Sequence, residues 1–367
     1  MAVHTVGIMT GGGDCPGLNP VIRAAVKTGI KKYGWKIFGI EDASMGLIDL
    51  NYRSPHGNLW LDMDSVAEIL TRGGTILGTS NRSDPFHYVV KRDGKKVETD
   101  VSDLVVEHAK EVGLDAIISI GGDGSMRIAQ QFIEKGMNIV GVPKTIDNDL
   151  AATDVTFGFD TAVQVATEAI DRLHDTAESH DRVMLVEVMG REAGWIALQA
   201  GLAAGAHAIL IPEIPYRLEP IAKRIQDRTA RNRPYSIVVV AEGARPVGGE
   251  ISHLKKQPGA MLRLMGAASH VADGLSRLID QDMRVTVLGH IQRGGSPSNF
   301  DRVLATRFGH AAANLVAQEQ FGRMVALRTP HIISVPISEA VANQKLVDPN
   351  GEVIQAARDL GVVFGDE

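Results

Sequence analysis

Residues 115–136 read DAIISIGGDGSMRIAQQFIEKG, and they set the reading of the whole chain. A short β-branched run ends in a glycine-rich turn, and a helical pattern follows at once. The same order recurs in HTVGIM, TGGGDCPG and NPVIRAAVKTGIKKY, and again in RVMLVEV, MGREAG and WIALQAGLAAG. It recurs once more in RVTVLGH, IQRGGSP and NFDRVLATRFGHAAANLVAQ, while AHAILIP and YSIVVVAEGA add two further apolar strands. Near-continuous apolar strands alternating with helices indicate parallel sheets covered on both faces. The expected fold is α/β, doubly wound, with ligands held beyond the carboxyl ends of the strands. All the glycine-rich turns fall there.

Composition narrows the function. The 367 residues are enough for two packed domains, and no proline- or serine-rich linker marks a boundary between them. The polar helix LEPIAKRIQDRTARNRP reads as a solvated face and HLKKQPGAM as a surface loop. A formal net charge of −6 argues against a general affinity for nucleic acid or an acidic membrane, though it leaves room for a local basic pocket. Cys15 is the only cysteine, so there is no intrachain disulfide and no cysteine-rich zinc site, and a reducing cytoplasm fits. No apolar window has the length of a membrane span.

The turns suggest phosphate chemistry. Glycines at a strand-to-helix junction let backbone N–H groups approach a phosphate, aided by the helix dipole. GGGDCPG and GGDGS fit this description, but neither is a Walker A loop. Pro16 stands where G-x-G-x-x-G would require its third glycine. Alone, each could be a tight turn that uses glycine only for its backbone freedom. Asp123 adds weight, because a carboxylate among phosphate-binding amides implies an intervening Mg²⁺. PKTIDND then offers a base for phosphoryl transfer to a hydroxyl. In an extended segment Asp147 and Asp149 would face one side, although the same residues suit an Asx turn. Arg191, His290 and Arg293 lie in turns of the second half and suit phosphate recognition. Arg182 and Arg284 begin the strands leading to those turns, at the opposite sheet edge. Residues so placed serve a neighbour's site more naturally than their own, which hints at an oligomer. Cys15, His174, His180 and Trp195 read as structural.

TGGGDCPGLNPVIR, GGTILGTS, GGDGS, PKTIDNDL, GFDTA, VMLVEVMGREAG and VLGHIQRGGSPSNFDR stand in the order found in the phosphofructokinases, and the chain resembles that family over nearly its whole length. The resemblance implies two α/β domains with the active site between them, usually in a homotetramer, with a dimer as the alternative. The donor-binding domain would be 1–158 plus about 292–342, and the fructose 6-phosphate domain 159–291 plus about 343–367. The implied reaction is 6-phosphofructokinase chemistry in the cytoplasm. Asp147 would take the proton of the sugar 1-hydroxyl, with Thr145 and Asp149 beside it. Asp123 would hold Mg²⁺. Gly12, Gly13, Arg82, Gly122, Gly124, Ser125 and Lys144 would meet the donor. Arg191 would steady the transferred phosphoryl group, with Met189, Gly190 and Glu242 at the sugar. His290 and Arg293 would grip the 6-phosphate, and Arg182 and Arg284 would reach it from the adjacent subunit.

Gly124 favours ATP, since an aspartate there would repel the α-phosphate. Lys144 is compatible with ATP or pyrophosphate, and Ser44 stands where relatives often carry an aromatic residue. GTSNRSDPF is one residue longer than the usual turn. The alternatives are a pyrophosphate-dependent phosphotransferase, an NAD-kinase-like enzyme using the GGDG turn, and a non-enzymatic sugar-phosphate sensor. The sensor would be expected to have lost Asp147 or Asp123.

Overall fold

The computed structural model describes residues 3–54, 60–81, 83–92, 94–250 and 266–367. Arg82 and the HLKKQPGAM segment lie outside the described residues. The chain forms two compact units. The first comprises Met1–Thr145, Leu150–Gly158 and Arg293–Gln344, and the second Ile146–Asp149, Phe159–Gln292 and Lys345–Glu367.

The first unit begins with β1 (Thr5–Thr10), α1 (Leu18–Thr28), β2 (Lys36–Ile40), α2 (Met45–Ile48) and β3 (Trp60–Leu61). A hairpin of β4 (Tyr88–Arg92) and β5 (Lys95–Thr99) precedes α3 (Ser102–Val112), β6 (Ala116–Gly121), α4 (Asp123–Glu134) and β7 (Ile139–Pro143). The second unit takes α5 (Phe159–Ser179), β8 (Val183–Val188), α6 (Trp195–Ala203), β9 (Ala208–Leu210) and α7 (Leu218–Ala230). It continues with β10 (Ser236–Ala241), α8 (Ala267–Leu275) and β11 (Met283–Val287). A 3₁₀ turn (Gly289–Arg293) leads back to the first unit, which adds α9 (Asn299–Ala317), β12 (Arg323–Arg328), β13 (His331–Pro336) and α10 (Ile337–Ala340). The chain ends in the second unit with α11 (Glu352–Asp359).

The expected α/β class is borne out in both units. The first carries a seven-stranded sheet in the order β13-β12-β7-β6-β1-β2-β3, parallel except where β3 and β13 join at its two edges. The second carries an all-parallel sheet ordered β11-β8-β10-β9. Strands β6, β8 and β10 are buried at every position, as sheets covered on both faces require. In the first unit Met9, Ile117, Ile139 and Met324 from four neighbouring strands pack with Met126, Ala129 and Phe132 of α4. In the second, Leu185, Leu210 and Val238 pack with Ile221 and Ile225 of α7 and Val271 of α8. Burying one such side chain is worth about 1.5–3 kcal/mol.

Local signals explain the helix ends. Ser298 caps α9 by accepting the N–H of Asp301 at 3.2 Å. Gly113 ends α3 in a left-handed conformation, with Leu114 N–H returning to the Ala109 carbonyl at 2.9 Å. The turns after β1, β6, β8 and β11 all lie at carboxyl ends of strands, where ligands of such folds bind.

Candidate active site

In the first unit the glycine turns interlock. An added Cβ would lie 2.7 Å from Ser125 Oγ at Gly11 and 2.2 Å from Ser125 Cβ at Gly121. Only glycine at both positions admits the Ser125 side chain between the turns after β1 and β6. Gly12 is left-handed at φ 78°, and its N–H donates to the Ser80 carbonyl at 3.3 Å. Thr79 Oγ1 donates to the Gly12 carbonyl at 2.6 Å, so GGTILGTS braces the first turn. Lys144, 3% exposed, follows β7 and donates through Nζ to the Gly13 carbonyl. Gly124, by contrast, opens outward: a Cβ there would meet no atom within 4 Å.

Asp123 is the first residue of α4 and is half-exposed, with Arg127 Nε 2.9 Å from Oδ2. Among the described residues no group of three His, Cys, Asp or Glu could hold a metal. A single carboxylate fits Mg²⁺, which commonly takes one or two protein carboxylates and fills its shell with water and substrate phosphates.

In the second unit, Ile146–Asp149 is a bend. Asn148 is left-handed at φ 52°, so the expectation of an extended segment with both aspartates on one side fails. Asparagine tolerates that conformation at modest cost, which is why it can separate the two carboxylates. Asp147 is buried at 6% exposure, and Arg191 Nε lies 3.7 Å from its Oδ2. Arg191 is itself left-handed at φ 53°, after Gly190 at φ 138°. Glu242 Oε1 accepts the Arg191 N–H at 3.0 Å. Burial pushes the Glu242 carboxyl up to about 7; the Arg191 N–H opposes the shift and the charge of Asp147 adds to it. Gly243 packs under the same turn, where a Cβ would fall 1.9 Å from the Arg191 carbonyl oxygen.

The family model described as Phosphofructokinase matches residues 5–316. The chain belongs to the phosphofructokinase family. It is 48% identical over 368 residues to ATP-dependent 6-phosphofructokinase 2 of Clostridium perfringens, covering 99% of each chain. To ATP-dependent 6-phosphofructokinase of Chloroflexus aggregans it is 50% identical over 363 residues, covering 99% of this chain and 98% of the other. The solved phosphofructokinase of Saccharomyces cerevisiae superposes with a TM-score of 0.78 at 31% identity, over 92% of this chain and 45% of that longer one. A pyrophosphate-dependent phosphofructokinase from Marinobacter aquaeolei shares the fold, with a TM-score of 0.76 at 21% identity over 98% of this chain and 91% of its own.

The phosphofructokinase motifs thus form two clusters. One joins Gly12, Gly13, Gly122, Gly124, Ser125 and Lys144. The other joins Asp147, Gly190, Arg191 and Glu242, with Met189 buried beside Gly190. His290 and Arg293, grouped together by the sequence, part company. His290 is exposed in the second unit, whereas Arg293 sits in the first with its guanidinium on the bare face of Gly13, where a Cβ would be 1.8 Å from Nη1. Arg182 Nε donates to Asp282 at 2.8 Å, and Arg284 Nη1 pairs with the other oxygen of the same carboxylate. Both arginines stand at strand starts, away from the turns. Ser44 is buried and its hydroxyl donates to the Ser83 carbonyl, so no ring is presented there.

The quiet residues stay quiet. Burial raises the Cys15 thiol far above its ordinary range, which suppresses the thiolate. His174 Nε2 bonds the Ala204 carbonyl at 2.7 Å. Sequence reasoning missed Lys345, whose contacts converge on the Ile146–Asp149 bend, as well as Glu213 and Asp282. A lone lysine in a polar C-terminal stretch carries no motif. The one available signal was the asparagine between two aspartates, which asks for a partner to hold it.

Proposed function

We propose that the chain is an ATP-dependent 6-phosphofructokinase, transferring the γ-phosphoryl group of ATP to the 1-hydroxyl of fructose 6-phosphate and giving fructose 1,6-bisphosphate. One observation carries the chemistry: a buried carboxylate, Asp147, beside a half-exposed arginine, Arg191, at 3.7 Å. Phosphoryl transfer needs a base at the attacking hydroxyl and a cation for the phosphoryl oxygens. The names of relatives at 48% and 50% identity over 99% of this chain support the donor and the acceptor.

Asp147 takes the proton of the 1-hydroxyl, with Thr145 and Asp149 beside it. Arg191 steadies the transferred group, and Met189, Gly190 and Glu242 meet the sugar. Gly12, Gly13, Gly122, Gly124, Ser125 and Lys144 hold the donor phosphates, with Arg82 assigned to them by sequence alone. Asp123 would hold Mg²⁺, which supplies charge neutralisation between the donor phosphates when bound. His290 grips the 6-phosphate, joined by Arg293 from its resting place on Gly13. Arg182 and Arg284 reach that phosphate from a second copy of the chain, which makes the enzyme a homo-oligomer, a tetramer in this reading. The first unit is then the donor-binding domain and the second the sugar domain. Among the described residues no helix is long and apolar enough to cross a membrane, and a cytoplasmic location goes with the reaction.

The test is an assay of purified protein with fructose 6-phosphate and Mg²⁺, supplied with ATP in one cuvette and pyrophosphate in another. Turnover with ATP alone is expected. Turnover with pyrophosphate alone would mean that Lys144 outweighs Gly124, and turnover with neither would remove the kinase reading.

A further inference from the structure

Lys345 opens the last segment of the second unit, far in sequence from every motif, yet its contacts close on the Ile146–Asp149 bend. Its backbone N–H donates to the Asp149 carbonyl at 2.8 Å. Its Nζ donates to Asn148 Oδ1, also at 2.8 Å. The bend is therefore held on the side chain of one residue and the main chain of the next. Lys345 is itself fixed, because its carbonyl accepts Trp195 Nε1 at 2.9 Å and its ammonium lies 5.8 Å from the centroid of that indole. Two residues further on, Val347 N–H donates to Glu213 Oε1 at 2.8 Å, and the same carboxylate accepts Gly194 N–H at 2.9 Å. Gly194 closes the MGREAG turn that carries Arg191. Segment 345–347 thus ties the base-bearing bend to the helix that starts beyond the arginine turn.

We propose that Lys345 is a positioning residue for phosphoryl transfer, fixing the left-handed Asn148 and with it the orientation of Asp147. The inference rests on the kinase reading above. A residue at φ 52° sits in a narrow conformational well, and losing the bond to its side chain lets the bend relax toward commoner geometries. Asp147 is the adjacent residue, so its carboxylate turns with the bend. A shift of about 1 Å at a base costs on the order of a hundredfold in rate.

The experiment compares Lys345→Met, Lys345→Arg, Asn148→Gly and the Lys345→Met/Asn148→Gly double variant with the wild type, in the ATP and fructose 6-phosphate assay. Lys345→Met keeps the main-chain bonds and the apolar stem but loses the ammonium. It is expected to lower kcat about ten- to a hundredfold, with KM for fructose 6-phosphate moving less than about threefold and an unchanged melting temperature. Lys345→Arg is expected to restore most of kcat. Asn148→Gly still permits the left-handed backbone but gives Lys345 no Oδ1 by which to hold it there, so it should show the same kcat-selective loss, and adding Lys345→Met should cost little more. Wild-type kcat in Lys345→Met, a rise in KM alone, or full additivity in the double variant would each overturn the proposal. A fall in kcat that merely follows a fall in melting temperature would do so too. An inactive wild type would instead remove the kinase reading itself.

Discussion

Arg191 Nε stands 3.7 Å from Asp147 Oδ2, and left-handed backbone occurs at the first residue and directly after the second. Arg191 has φ 53°, and Asn148, the neighbour of Asp147, has φ 52°. Side chains in this conformation project where ordinary strand or helix geometry cannot send them, at a cost of about 1–2 kcal/mol each. The surrounding contacts hold the strain in place: Glu242 and Gly243 under one turn, Lys345 on the other. The positive charge of Arg191 also faces the buried Asp147 carboxylate and opposes the cost of taking it out of water.

Replacing Asp147 without altering its shape tests the proposed role of base. Asp147→Asn should cut kcat by roughly 10²–10⁴-fold, because an amide cannot take the proton of the 1-hydroxyl. Fructose 6-phosphate binding, measured by calorimetry without donor, should change little. Turnover near the wild-type rate would exclude Asp147 as the base.

Gly243→Ala probes the arginine turn by volume alone. The added methyl group would fall 1.9 Å from the Arg191 carbonyl oxygen, and a backbone atom cannot move aside cheaply. The turn must shift, taking the guanidinium away from Asp147. The expected result is a loss of at least about tenfold in kcat/KM, with Asp147 chemically intact. A variant with wild-type kcat/KM would show that the arginine has no strict position to keep.

The strand–turn–helix units were legible because they are local: β-branched runs, glycine turns and helical periodicity each span a few residues. The glycine turns that meet around Ser125 were legible as turns but not in their construction. That Gly11 and Gly121 are bare in order to admit Ser125 depends on β1 and β6 being neighbours only in the sheet, and that Arg293 rests on Gly13 depends on the return of a distant stretch of chain to the first unit. The alternation argument for Asp147 and Asp149 failed because a single left-handed residue between them breaks the two-residue period. The pairing of Arg182 with Arg284 across Asp282 needed the parallel alignment of β8 with β11, in which Arg284 lies opposite Met184. Lys345 itself carried no motif, since Asn148 and Asp149, which it holds, lie almost two hundred residues earlier in the chain.

Gly124 is where the donor can be tested. A side chain there meets no protein atom within 4 Å, so Gly124→Asp should fold normally, with melting temperature unchanged within about 2 °C. Its carboxylate would enter the space beside the phosphate turn and repel the inner phosphates of ATP. Turnover with ATP is expected to fall by at least about a hundredfold, while any pyrophosphate turnover is spared or raised. Equal loss with both donors would mean that position 124 does not discriminate between them.

Glu242 titrates where an ordinary glutamate does not, and this gives a stability signature separate from catalysis. Its folded-state value of about 7 lies above the ordinary 4.5, chiefly because burial penalises the carboxylate. Between those two values the folded chain keeps a proton that the unfolded chain has released. Stability from this group is therefore complete below the lower value and is lost as pH rises through the upper one. Glu242→Gln removes the titration but keeps a carbonyl oxygen able to accept the Arg191 N–H. Going from pH 5 to pH 8, the wild type should lose stability relative to this variant by on the order of 2 kcal/mol. Thermal unfolding of the two proteins at both pH values measures the difference directly. If the wild type loses no stability relative to the variant between pH 5 and pH 8, or gains some, then Glu242 is not held protonated by its burial, and the carboxylate would have to be ionised beneath the arginine turn throughout.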